Sequence, residues 1–236
     1  MEKLYKTLGK DGRYIYGNGW HLPKGKRPGK WMPVIEELLI CESGYHLCKG
    51  QDLVYWLNEE IYEAEYRGER IDEGYKIVVS QARLLRKVTA WNETTARLFA
   101  CDCAEHVLPI YKKDYPDDET LDIVIYVSRC YALGGADENE LNAAKDAVKT
   151  VALNATRAAA KNAVNGAARD TAWAAAWAAA WATAEAAAMT MTRDAPWAAA
   201  RRAVRYAAWI TAWDAERKWQ TERLFQYLNG KEQEGG

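Results

Sequence analysis

The chain has 236 residues, enough to bury a sizeable core as one large domain or two small ones. Its 32 basic and 33 acidic residues leave a formal net charge of -1, which excludes a molecule-wide bias toward polyanions, so any nucleic-acid site has to be local. The 5 cysteines are an odd set without a paired framework, and the opening stretch MEKLYKTLGK carries no apolar signal core, so a reduced, cytoplasmic protein is expected.

Glycine and proline punctuate the first part of the chain, and alanine dominates the second. That division predicts an α+β protein: a small N-terminal α+β domain over 1–90, then a mainly α, Ala/Trp-rich antiparallel helical bundle over 91–230, and a disordered tail over 231–236. In the first part, Arg13 to Tyr16 reads as a strand entering a turn at Gly17-Asn18-Gly19. The run Pro23 to Lys30 is a basic loop whose prolines and glycines exclude regular structure. Lys24, Lys26 and Arg27 in it are candidate anion contacts, although a solvated hairpin tip is the commoner use of such a run. Gln51 to Leu57 suits a short helix. Ile61 to Tyr66 alternates apolar and acidic residues, and Tyr75 to Val79 follows a glycine turn, so both read as strands.

The element Gly44-Tyr45-His46-Leu47-Cys48 is followed by a short helix at Asp52 to Leu57, an alternating strand at Ile61 to Gly68 and a closing strand at Lys76 to Val88. In this order it resembles a family of small domains frequent in bacteriophages and prophages, across roughly residues 35–88. The resemblance implies a domain boundary and carries no activity. Tyr45 and His46 are candidate binding residues of this part. Cys41, His46 and Cys48 supply only three of the four ligands a tetrahedral structural zinc site needs, so neither a metal nor a cofactor is expected. Cys48 with His46 could form a nucleophile and base, but no third orienting group is evident, and a buried cysteine beside a structural histidine is the preferred reading.

From Asn92 onward the pattern is helical. Asn92 suits an N-cap, Glu93 and Arg97 form an i,i+4 pair, and Leu98, Phe99, Cys103 and Val107 supply an apolar stripe, so a first helix is predicted to about Leu108, with Pro109 kinking or ending it. Asp117 or Asp118 caps a second helix that closes at Gly134-Gly135. Asp137 to Glu140 has the offset of a capping box and starts a third. Asn165-Gly166 is the favoured break before Thr171 to Met189, where Trp173, Trp177 and Trp181 recur every four residues on alanine with Glu185 as the only formal charge. This apolar helix belongs in the centre of the bundle, and its weak hydrophobicity argues against a membrane span. The last helix begins at Asp194 and Pro196, carries Trp197, Trp209, Trp213 and Trp219, and stops at Asn229-Gly230. Arg193, Arg201, Arg202 and Arg205 make a basic patch there, the best local site for an acidic partner.

The stretch Asp102-Cys103-Ala104-Glu105-His106-Val107-Leu108-Pro109, followed by an acidic Pro-Asp-Asp loop, a helix and an alanine-rich tract, resembles the immunity proteins of bacterial toxin systems. The resemblance runs from about Thr94 into the 180s and implies a protein that binds and neutralises another. The strict four-residue tryptophan rhythm departs from it. Asp102, Glu105 and His106 lie at i, i+3 and i+4, hence on one helical face, where they either hold a neighbouring helix or form a carboxylate–imidazole pair.

Three functions compete. The first is a non-enzymatic, immunity- or inhibitor-like protein of bacterial or phage conflict, with another protein as partner and steric occlusion as mechanism. The second is nucleic-acid or nucleotide binding through Lys24, Lys26, Arg27 and the Arg193 to Arg205 patch. The third is an enzyme using Cys48/His46 or Asp102/His106, and it ranks last because its essential groups cannot be assembled from the sequence.

Overall fold

In the computed structural model, described at residues 2–12, 19–113, 116–144, 146–147 and 213–230, the chain divides into two compact units. One comprises Met1–Asn92 with Thr221–Gly236, the other Glu93–Gln220. The protein is thus mixed α+β. The last turns of its final helix belong with the first unit, whereas the sequence division places them with the helices.

Four antiparallel strands build the first unit: β1 (Leu4–Leu8), β2 (Tyr45–Lys49), β3 (Glu60–Glu73) and β4 (Lys76–Lys87). Strand β1 pairs with β2 through Leu4↔Lys49 and Tyr5↔Cys48, and with β3 from Leu4↔Ala64 to Leu8↔Glu60. Because β2 and β3 both also pair with β4, the sheet closes into a barrel in the order β1-β2-β4-β3. Closing so few strands demands strong coiling, and two register shifts in the β3–β4 ladder provide it, at Glu63/Ala64 and Arg67/Arg70. The expected strand end at Gly68 is the second of these. Gly68 has φ +74°, and Ser80 Oγ accepts from the Glu69 amide at 2.9 Å while donating to the Arg67 carbonyl at 3.1 Å, so the extra residues are hydrogen-bonded and the strand continues to Glu73.

Alternation decides what the barrel encloses. Leu4, Leu8, Leu47, Tyr62, Ala64, Ile77, Val79, Ala82 and Leu84 form one buried cluster with Trp20 and Met32. Lys6 lies between Leu4 and Leu8 and is buried with them. Its ammonium donates to the His46 carbonyl at 3.0 Å and sits 5.3 Å from the centre of the Trp20 ring, and burial lowers its pKa to about 8. Tyr5 and Cys48 face the other way; Tyr5 meets Phe225 edge-on at 5.9 Å. Residues 50–57 carry Leu53, Val54 and Leu57 fully out of water, but the expected helix there is a 3-10 turn, Gly50–Tyr55.

Residues 29–35 lie beside β4, with the amides of Gly29, Met32 and Ile35 donating to the carbonyls of Leu84, Ala82 and Ser80 at 2.8, 2.9 and 2.9 Å. Trp31 is held between the guanidinium groups of Arg67 and Arg83, 4.0 and 4.6 Å from its ring centre.

In the second unit, α1 (Glu93–Lys112) and α2 (Thr120–Ala132) pack together, and Phe99, Cys103 and Val107 on one and Leu121, Val124 and Ile125 on the other are buried. Pro109 does not end α1. It lies on the exposed face one turn after Glu105, also exposed. The caps follow the sequence closely. Asp118 Oδ1 accepts from the Thr120 amide at 2.9 Å, and Gly134, at φ +79°, ends α2 as the Gly135 amide reaches Cys130 O at 2.7 Å. Asp137 and Glu140 exchange side-chain-to-amide bonds of 2.9 and 2.8 Å, the expected capping box, ahead of helical residues from 138. The final helix, α3 (Trp213–Leu228), ends before Gly230 at φ +70°. The Arg13 to Tyr16 strand, the Asn165-Gly166 break, the Trp173/Trp177/Trp181 helix, the Asp194 start and the tail all lie outside the described residues.

Gly29 shows how closely the barrel is wrapped. A Cβ there would lie 1.9 Å from the His21 carbonyl oxygen, whereas one on Gly19 would meet nothing within 4 Å. Gly29→Ala is expected to lower stability by about 1–3 kcal/mol, as overpacked sites do, and Gly19→Ala to stay within about 0.5 kcal/mol of the wild type, both read from denaturant melts.

Candidate functional site

The candidate residues with the most definite geometry are Asp102, Glu105 and His106 on α1. Their spacing puts them on one side of the helix, but the structure divides them between two neighbours. Asp102 is buried, and its Oδ1 lies 2.6 Å from Arg129 Nη1 on α2. Glu105, at the helix surface, takes the other arm of the same guanidinium. Arg129 is accordingly raised well above its ordinary pKa: burial opposes the charge, and the Asp102 carboxylate more than offsets it. His106 instead meets α3. Its Nδ1 lies 2.8 Å from Glu216 Oε2, and its ring stacks on Trp219 with centroids 3.7 Å apart and planes 4° from parallel. Glu216 is itself buried, and its second oxygen accepts from Gln220 Nε2 at 2.9 Å.

A carboxylate–imidazole pair does exist here, but it is His106 with Glu216 and not His106 with Asp102. Sequence reasoning missed Glu216 and Arg129, since partners 110 and 27 positions away leave no local signature; Trp219 was placed on its helix without its contact. Cys103, on the buried face of α1, is kept protonated by burial first and by the Glu216 charge second. The groups of this cluster bind each other across helix contacts. Among the described residues no set of three or more His, Cys, Asp or Glu side chains is arranged to hold a metal ion.

The N-terminal candidates lie on the barrel. Tyr45 and His46 are neighbours on β2 and point to opposite faces. Tyr45 packs edge-on against Trp20 at 5.4 Å and donates its hydroxyl to Pro33 O at 2.8 Å. His46 is half-buried, and burial, with the charges of Lys6 and Lys76, lowers its pKa. Cys48 is buried with its thiol directed at Tyr5 O, 3.7 Å away, and burial raises its pKa to about 12, out of range for a thiolate nucleophile near neutral pH. Cys41 is elsewhere, in an exposed turn with its sulfur 2.7 Å from Lys76 Nζ, so the three residues weighed as zinc ligands belong to different surroundings. Lys24, Lys26 and Arg27 are exposed on a tight turn closed by reciprocal Lys24 and Arg27 backbone bonds of 3.0 and 3.1 Å. Arg193, Arg201, Arg202 and Arg205 lie outside the described residues.

A mixed α+β chain whose helical unit ties its acidic and imidazole groups into helix-to-helix contacts has the construction of a scaffold. The family described as Imm-5 like putative immunity protein matches residues 86–227, and the chain belongs to that family. The match takes in α1 with its Asp102 to Pro109 motif, α2 and nearly all of α3, and begins at the end of β4. No curated protein and no solved structure matches the chain. No helix among the described residues is long and apolar enough to cross a membrane.

Removing Arg129 leaves the Asp102 carboxylate buried without its cation. Arg129→Met is expected to cost about 3 kcal/mol, the lower end for breaking a buried pair because the arginine is partly exposed, and adding Asp102→Asn should restore part of the loss. Additive losses in the denaturant melts of this double-mutant cycle would show that the two groups do not stabilise one another.

Proposed function

We propose that this chain is a non-enzymatic immunity-type protein of bacterial or phage conflict, which binds a toxin polypeptide and neutralises it by steric occlusion. The observation that carries the reading is the family match over 86–227, joined to the pairing of Asp102, Glu105 and His106 with groups on other helices. Asp102 and Glu105 hold α2, and His106 holds α3, so the motif maintains a rigid frame and leaves recognition to the surfaces that frame displays. The surroundings of Cys48 argue against a nucleophilic thiol, which is buried and held protonated. The protein acts in the cytoplasm in this reading, where it meets the toxin before or as it enters.

Nucleic-acid binding keeps one specific observation in its favour. Lys24, Lys26 and Arg27 are exposed together on one turn, and no ion pair with an acidic residue is formed by them among the described residues. Three phosphate contacts would give a modest, steeply salt-dependent affinity and no sequence preference.

Co-expression with a panel of bacterial toxin polypeptides tests the proposal. Growth should be rescued, and the purified pair should run as a complex of fixed stoichiometry that survives nuclease and moderate salt. Rescue without a stable complex would point to enzymatic neutralisation, and a particle that falls apart with nuclease would favour the basic turn.

A further inference from the structure

The barrel lies almost wholly outside the family match, which begins at residue 86, and it has a surface of its own that neither the family nor the motif accounts for. Five large apolar side chains of this unit are exposed: Val34, Leu39, Ile40, Trp56 and Tyr75. Trp56 and Tyr75 meet at the β3–β4 turn, and the loop that carries Leu39 and Ile40 reaches the same turn. Trp56 Nε1 donates to the Tyr75 carbonyl at 2.8 Å, and Tyr55 stacks on the Tyr75 ring at 4.0 Å, which fixes the end of the 3-10 turn against the hairpin. On the other side, the loop closed by the Leu39–Ser43 bridge reaches the same turn through Cys41 and Lys76. Trp56 is 42% exposed and Tyr75 49%, although each is anchored, so two aromatic side chains are held in water with little freedom left to lose.

The lysine beside this turn, Lys76, is paired with Glu73 at 3.0 Å, and the exposed charges of the neighbouring loop are carboxylates. Glu36, Glu37 and Glu42 flank Leu38 to Ile40, all three are exposed, and none forms an ion pair among the described residues. The basic turn at Lys24 to Arg27 is far off. Gly29 is fixed beside Leu84 and Cys41 beside Lys76, eight strand residues apart on β4, or roughly 26 Å at strand spacing. The barrel is therefore polar along β4, basic at one end and apolar with an acidic rim at the other. Anchored aromatics inside a charged rim are the usual make-up of a protein-binding hot spot, and uncompensated carboxylates select a partner by its cations.

We propose that the Trp56/Tyr75 end of the barrel is a second docking face, specific for a polypeptide surface that presents aliphatic or aromatic side chains next to lysine or arginine. This face does not depend on the immunity reading, which concerns the helical unit, and the two can fail separately.

The test uses the full chain as bait for a random-sequence peptide library displayed on messenger RNA. Enriched peptides should combine Leu, Ile, Phe or Trp with neighbouring Lys or Arg. Binding of a synthetic enriched peptide should fall about tenfold in Tyr75→Ser and in Trp56→Ser, as for a hot-spot residue. Because Trp56 also holds the turn, Ile40→Ser and the triple change Glu36→Gln, Glu37→Gln, Glu42→Gln provide surface variants whose melts should match the wild type. Each should weaken binding several-fold, and the triple change should also flatten its salt dependence. No enrichment, enrichment of acidic peptides, or a peptide that binds all the variants equally would overturn the proposal.

Discussion

The helical unit depends on pairing one buried carboxylate with a cation from another helix. Asp102 sits inside α1's packed face, where an unpaired charge would cost several kcal/mol, so its presence requires a cation brought to it by another element. Arg129 meets that need and fixes α2 in register with α1, while Arg97, buried on α1 with its guanidinium 5.3 Å from the Tyr131 ring centre, repeats the link one helical turn and a half away. His106 extends the same logic to α3 through Glu216 and Trp219. A purely apolar seam would tolerate sliding; paired groups at these three levels do not.

This ordering explains why the motif that marks the family is silent about chemistry. Its charged residues are engaged with other helices and its apolar ones with the core, so the motif specifies a frame. Under the proposed function, recognition would fall to side chains that the frame leaves in water; Ile123 and Tyr126 on α2 are 55% and 68% exposed. The barrel achieves rigidity by a different route. With β1 joining β2 and β3, every strand has two neighbours, and the buried Lys6 is accommodated because a backbone carbonyl and the Trp20 face receive its charge.

What could be read from sequence was local. The Asp118 cap, the Gly134 stop, the Asp137/Glu140 box and the Glu93–Arg97 pair each involve residues within four positions, and each occurs where the pattern put it. Strand β1 was missed because Leu4-Tyr5-Lys6-Thr7-Leu8 carries a lysine at an inward position, which reads as a surface residue until the enclosing ring is known. Gly68 was read as a strand end because a glycine stop and a glycine bulge look alike without the partner strand. Pro109 was read as kinking or ending the helix, and α1 continues through it to Lys112, because whether a proline is accommodated depends on packing and solvent access. The site was legible as residues and not as pairs: His106 was singled out, but its partner Glu216 comes from a helix more than a hundred residues later, and only the fold joins them.

The central claim is that the Asp102 to Pro109 motif builds the frame and that partner contact occurs on exposed faces. Hydrogen exchange of the chain, free and bound to the toxin partner proposed for it, tests it most directly. Amides of α1 from 98 to 110 should already be among the slowest in the free protein and unchanged by binding, with new protection confined to exposed segments. Fast exchange across the motif in the free protein, followed by strong protection on binding, would contradict the account, because it would make the motif itself the recognition element.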